Sequence, residues 1–116
     1  VITATLNTAK YYSCGVSGVN KGYCMGGYTT TAVVAVIEDM NFVDETSNVI
    51  TATLNTAKAY NCGVSGANKG YCMGGSTTTT FVAVIEDMNF VDETSNVITA
   101  TLNTAKYNSC GVSGVV

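Results

Sequence analysis

The sequence predicts an all-β repeat architecture built from four-stranded antiparallel units. Three observations lead there. Residues 1–48 return almost letter for letter as residues 49–96, and the same wording begins again at Val97. Each copy holds four short β-prone runs separated by turn residues. The composition is rich in Thr, Val, Gly and Ala, poor in Leu, and contains no Pro, which favours strands over helices.

The first two copies differ only at Tyr11/Ala59, Ser13/Asn61, Val19/Ala67, Tyr28/Ser76, Ala32/Thr80 and Val33/Phe81, with no insertion or deletion. A fixed period of this size marks one supersecondary unit stacked on copies of itself. The chain therefore reads as repeat 1 (residues 1–48), repeat 2 (residues 49–96) and a partial repeat 3 (residues 97–116) in one continuous array. It is expected to be a segment of a longer array, or a subunit completed by its neighbours.

Within one repeat the elements follow in order. Lys10–Ser17 alternates, carries aromatics and ends at Gly18, so it reads as a strand. Gly18–Gly22 is a turn by composition. Tyr23–Met25 is a short apolar strand closed by Gly26 and Gly27, and the Thr29–Thr31 run reads as a loop. Ala32–Phe42 is the strongest strand, β-branched and mostly apolar. Val43–Asn48 is a polar turn, and Val49–Leu54 alternates with period two. A helix over Ala32–Met40 is disfavoured by its β-branching and shortness. Four such strands per repeat match one blade of a β-propeller, present here as a propeller segment or an open blade stack. A β-solenoid is the alternative, although the repeat shows no shorter internal period.

Charge narrows the partners. The net charge is −3, and Arg, His and Trp are all absent. With no basic stripe to neutralise phosphates, a nucleic-acid partner is not expected. The longest uninterrupted apolar run, Ala32–Ile37, is too short to span a bilayer.

The five cysteines obey the period: Cys14, Cys62 and Cys110 form one column, Cys24 and Cys72 the other. Cysteines locked to a repeat point to disulfides and an oxidising, extracellular setting. The competing reading is that they are small buried hydrophobes. Cys14 and Cys24 flank the Gly18–Gly22 turn. A three-residue loop would set them opposite one another, within reach of a cross-strand bridge; a two-residue loop would put them on opposite faces. A bridge between adjacent units is the remaining choice.

Other residue groups carry weaker chemistry. Gly26-Gly27 and Gly74-Gly75 lack the helix and the Lys-Ser/Thr of a phosphate loop, so they read as sites of close backbone approach or positive φ. Glu38 and Asp39 are adjacent on a strand and cannot converge on one cation. Asp44 and Glu45 fall in a turn, where Asp caps its own backbone. These carboxylates are expected in turn or solvated roles. Most of the seven tyrosines are expected in packing, with Tyr11 and Tyr28, which vary between repeats, as candidates to face a ligand. Every charged residue and every Cys sits at a repeated position, so no unique nucleophile, base or metal set stands out. The expectation is a non-enzyme without catalytic, cofactor-binding or metal-binding residues.

At these residues the chain resembles the kelch repeat. The matching parts are Lys10-Tyr11-Tyr12 before the first strand, Gly22–Gly27 with its terminal doublet, Val36-Ile37-Glu38-Asp39, and the polar Asp44–Asn48 turn. The second copy supplies Lys58, Gly74-Gly75, Glu86-Asp87 and Asp92–Asn96. The wording is also similar to kelch-like repeats of phage tail-fibre and bacterial surface proteins. The chain lacks the Trp usual near the fourth strand, and Lys stands where Arg is usual. The resemblance implies propeller blades and a structural or adhesive role in an extracellular fibre, filament or virion tail fibre, with the chain itself as the main partner. Its alternative is a closed propeller that binds a glycan or a cell-surface protein on a loop face.

Overall fold

A computed structural model describes residues 2–113. Val1 of the first copy and residues 114–116 of the partial third copy lie outside the described residues. Among the described residues there is no helix, and eight strands form two antiparallel sheets. The first sheet contains β1 (Cys14–Ser17), β2 (Lys21–Met25), β3 (Val36–Asn41) and β4 (Ser47–Thr53), in spatial order β1-β2-β3-β4. The second contains β5 (Cys62–Ser65), β6 (Lys69–Met73), β7 (Val84–Asn89) and β8 (Thr94–Thr101), in the same order.

The structural unit is out of phase with the repeat as first counted. The cuts after Asn48 and Asn96 fall inside β4 and β8. Each sheet instead starts at the cysteine of the first column and ends at the Thr of VITAT. A sequence period fixes the length of a unit but not its starting point; pairing fixes the start.

Pairing also explains why identical sequence takes different states. VITAT is strand at Val49–Thr53 and Val97–Thr101, where β3 and β7 pair with it. The same letters at Ile2–Thr5 form no strand. Likewise CGVS is strand at Cys14–Ser17 and Cys62–Ser65, but not at Cys110–Ser113. A strand exists only where a neighbour satisfies its N–H and C=O groups.

Several element boundaries differ from expectation: the strand expected over Lys10–Ser17 is strand only from Cys14, and β2 begins at Lys21, inside the expected turn. The strand expected over Ala32–Phe42 is ordered as a ladder only from Val36. Ahead of it, Thr29 closes a turn: its Oγ1 accepts from the N–H of Ala32 at 3.2 Å, and its own N–H donates to the Ala32 carbonyl at 2.9 Å. The side-chain hydroxyl outcompetes the ladder there. The polar turn is also shorter than expected, because Ser47 and Asn48 already pair with Met40 and Asp39.

Identical residues in the two sheets differ in burial, and the pattern shows how the sheets meet. Cys14, Val16, Tyr23, Met25 and Ile37 share one face of the first sheet, by register, and all are buried. On the second sheet the equivalent Val64, Tyr71, Met73 and Ile85 are only half-buried. The opposite face reverses the order: Cys72 and Met88 are fully buried, whereas Cys24 and Met40 are half-buried. The front face of the first sheet therefore packs on the rear face of the second. The core is this seam, a head-to-tail joint in which every buried side chain adds roughly 1.5–3 kcal/mol of hydrophobic stabilisation.

Glycines let the sheets close. A Cβ on Gly70 would lie 2.5 Å from the Val16 Cβ, and one on Gly63 would collide with the Gly15 carbonyl oxygen. Val16 thus enters a slot that exists only because β5 and β6 carry glycine at the contact.

Candidate functional site

Three features bear on the seam. The first is a buried ion pair on the inter-sheet strap, with a counterpart between the segment ahead of β1 and the rear of the first sheet. After β4 the chain runs through Asn55–Lys58 to the second sheet. Lys58 is fully buried, with its Nζ 3.1 Å from Oε2 of the fully buried Glu86 on β7. Glu86 Oε1 accepts the Asn55 N–H at 2.5 Å. Lys10 and Glu38 repeat the arrangement at 3.2 Å, and the Asn7 N–H donates to Glu38 Oε1 at 2.6 Å. Each Lys–Glu contact is ionic without the alignment of a hydrogen bond. In low dielectric such a pair holds together because separating it would leave a bare charge. The expected solvated role of Glu38 is thereby corrected: it is buried, as is Asp39. The two carboxylates do point to opposite faces. Asp39 takes Lys21 at 2.8 Å, not Lys10.

The second feature is a polar cleft of about 390 Å³ at the turn end of the seam, lined by Asn20, Lys21, Tyr23, Asn68, Phe90 and Glu93 among others. Glu93 sits in the β7–β8 turn at φ 54, a left-handed conformation that is costly for a residue with a Cβ. Its carboxylate crosses the seam: Oε2 lies 3.2 Å from Lys21 Nζ and accepts the Tyr23 hydroxyl at 3.0 Å. The Tyr23 and Phe90 rings stack at 5.6 Å beneath this contact. The Asp39 hydrogen bond holds the Lys21 ammonium well above the usual lysine range, with Glu93 adding to it. Burial, then the Glu93 hydrogen bond, push the Tyr23 phenol up to about 12 from 10.0. Lys21 bridges a carboxylate from each sheet, Asp39 and Glu93, so the cleft ties the two sheets together.

A pH dependence follows. The folded phenol titrates above the unfolded one, so its contribution is whole below pH 10 and is lost between about pH 10 and 12. Tyr23→Phe is expected to cost roughly 1–2 kcal/mol at neutral pH, as a hydrogen bond to a partly exposed carboxylate. The gap from the parent chain should narrow as pH rises through that window, which urea melts at pH 8 and pH 11 would show.

The third feature is an aromatic ladder at the other end of the seam. Tyr12 and Tyr60 stack with centroids 4.0 Å apart, and Tyr60 meets Tyr107 edge-on at 5.8 Å. Tyr11 adjoins Tyr12 at 4.7 Å and Tyr28 at 5.5 Å, and Phe81 stacks on Tyr107 at 4.4 Å. Tyr11, Tyr12, Phe81 and Tyr107 are exposed. Tyr12, Tyr60 and Asn108 occupy the same repeat position and all have positive φ, between 54 and 58. Their backbones link one repeat to the next: the Tyr60 N–H donates to the Tyr12 carbonyl at 2.8 Å, and the Asn108 N–H to the Tyr60 carbonyl at 2.9 Å. Tyr11 and Tyr28, singled out by their variability, are thus adjacent and joined by a β-bridge. The equal part of Tyr12 and Tyr60 was hidden, because nothing in sequence marks a tyrosine as left-handed.

The glycine doublets serve the same junction. Gly26 and Gly74 both have φ 66, and a Cβ on Gly26 would lie 2.6 Å from the Lys58 carbonyl. Gly27 and Gly75 have φ 117 and 107; their N–H groups donate to the Lys58 and Lys106 carbonyls at 2.9 Å. In the β3–β4 turn Asp44 accepts from the Thr46 N–H and hydroxyl, at 3.2 and 2.7 Å.

The cysteines take the two-residue-loop register. Cys14 lies opposite Met25, and Cys24 opposite Gly15. Cys14 and Cys24 therefore occupy opposite faces, and a bridge between them is ruled out by the pleat. All five cysteines are free thiols; Cys110 is exposed. Cys14 instead meets Cys72 across the seam, Sγ to Sγ at 3.2 Å.

Among the described residues no group of three or more His, Cys, Asp or Glu is placed to hold a metal ion, and no helix is long and apolar enough to cross a membrane. Neither a known family model nor a curated protein matches this chain.

Proposed function

We propose that the chain is a structural, adhesive module of an extracellular fibre, filament or virion tail fibre, and that it assembles by reusing its own seam. The observation that carries this reading is the complementarity of its two outer faces. The rear of the first sheet bears Gly15, Gly22 and Cys24, equivalent to the Gly63, Gly70 and Cys72 that receive Val16 and Cys14. A groove of about 410 Å³ opens there, lined in part by Gly15, Gly22, Cys24 and Phe42. The front of the second sheet carries Val64, Tyr71, Met73 and Ile85, the equivalents of the knobs that fill the seam, and the partial third copy already begins to cover it: a Cβ on Gly111 would lie 2.5 Å from Val64 Cγ1, as one on Gly70 would from Val16. One face fits the other, and a heterologous joint of this kind propagates unless it closes into a ring. The partner is the next unit of the same repeat, and no catalysis is part of the role.

Electron microscopy of the purified chain tests this. Particles that lengthen along one axis as concentration rises are the expected result. A population of uniform closed rings would refute open assembly.

The second reading is a closed, kelch-like propeller that binds a glycan or a cell-surface protein. The exposed aromatic ladder favours it, because exposed rings suit the apolar faces of sugars. The close approach of β1 and β5 at Gly15 and Gly63 also suits wedges arranged around an axis.

A further inference from the structure

We propose that Cys14 and Cys72 form an oxidisable pair that staples one sheet to the next. The two thiols are buried, 58 residues apart in sequence, and in direct contact at 3.2 Å. Closing to a disulfide requires their sulfurs to approach by about 1 Å. The pair is built by the fold: Cys14 projects from the front face of β1 and Cys72 from the rear face of β6. The side chain of Asn61 fixes the acceptor, because its Nδ2 donates to Cys72 Sγ at 2.8 Å. Position 61 is one of the six that distinguish the copies; the first carries Ser13, whose hydroxyl accepts from the Cys24 thiol at 3.2 Å. Two donors, the Asn61 amide and the Cys14 thiol, converge on this one sulfur and hold it in place, which makes Cys72 the attacking sulfur. The Cys72 contact, then burial, hold the Cys14 thiol well above its ordinary value, in keeping with a resolving thiol that reacts second.

The chemistry needs a small uncharged oxidant that can reach a buried sulfur, and hydrogen peroxide meets that need. The Cys72 sulfur attacks one peroxide oxygen and gives up its proton. The O–O bond breaks, a sulfenic acid forms, and one water leaves after proton uptake. The Cys14 thiol then attacks the sulfenic sulfur, the S–S bond forms, and a second water leaves. Two thiols lose two electrons and two protons in all; the peroxide is reduced to water.

The sequence makes the test clean. Its only cations are Lys10, Lys21, Lys58, Lys69 and Lys106, so trypsin places each cysteine in its own peptide: 11–21, 22–58, 59–69, 70–106 and 107–116. The native chain is treated with hydrogen peroxide, remaining thiols are alkylated, and the digest is mapped without reduction. The expected product joins peptide 11–21 to peptide 70–106, with a loss of about 2 Da that dithiothreitol reverses. The urea midpoint should rise on oxidation and return on reduction, because the bridge closes a long loop. Cys72→Ser should abolish the linked peptide, and Cys24→Ser should leave it intact. A bridge from peptide 11–21 to peptide 22–58, or full alkylation of Cys14 and Cys72 after peroxide, would overturn the proposal.

Discussion

Glu86→Ala is expected to destabilise the chain by about 3–5 kcal/mol, the cost of leaving one member of a buried ion pair without its partner. Lys58 has its ammonium in the seam interior, with Glu86 as its counter-charge. The same substitution removes the acceptor for the Asn55 N–H, so the strap between sheets loses its anchor at two points. Glu86→Gln separates the two effects. It keeps an acceptor for Asn55 and loses only the charge, so its cost should approach that of alanine if the buried ammonium dominates. The double replacement Lys58→Met with Glu86→Leu should recover most of the loss, since apolar residues of similar volume replace such pairs at little cost. Urea melts of the four chains check this. A Glu86→Ala penalty below about 1 kcal/mol, in the range of an exposed pair, would show that the pair is not buried as described.

The second large effect concerns two glycines with the same sequence context and opposite fates. Gly63 lies in the seam, where a Cβ would collide with the Gly15 carbonyl oxygen and lie 3.1 Å from Val16 Cγ1. Backbone cannot move aside as a side-chain tip can. Gly63→Val should therefore force the sheets apart and cost about 3 kcal/mol or more, at the upper end for overpacking. Gly15 is its counterpart on the outer rear face. The nearest atom to a Cβ there is the Tyr23 carbonyl oxygen, at an ordinary 3.7 Å. Gly15→Val should leave the melting midpoint within about 0.5 kcal/mol of the parent, as surface substitutions do. Equal destabilisation by both valines would contradict the assignment of front and rear faces.

Much of the fold was legible in the letters, for a physical reason. Period-two runs and Gly-rich turns act locally, so the four strands per repeat could be read one repeat at a time. The faces could not. VITATL and CGVS each occur three times with the same spelling, yet become strand only where a neighbour pairs with them. Which face of Cys14 or Glu38 is buried depends on the next sheet, and a single repeat carries no sign of it. Glu38 illustrates the gap: a carboxylate beside Asp39 suggests solvent, but a lysine 28 positions earlier, Lys10, arrives from the preceding strap to neutralise it. The Cys14 to Cys24 question turned on one residue of loop length, which sets register but leaves no signature in composition. The ladder at Tyr12 and Tyr60 was hidden for a similar reason, since a left-handed tyrosine is a tertiary choice. The seam was the least legible, because a joint shows itself only when both of its halves are seen in space.

The account rests on the claim that the outer front and rear faces repeat the joint found inside the chain. Static light scattering of the parent and of Gly15→Val, across a range of concentrations, measures it directly. The parent mass should rise in multiples of 12.0 kDa as concentration increases, while Gly15→Val stays at one chain. A parent that remains a single chain at every concentration, or a variant that assembles as readily as the parent, would contradict it.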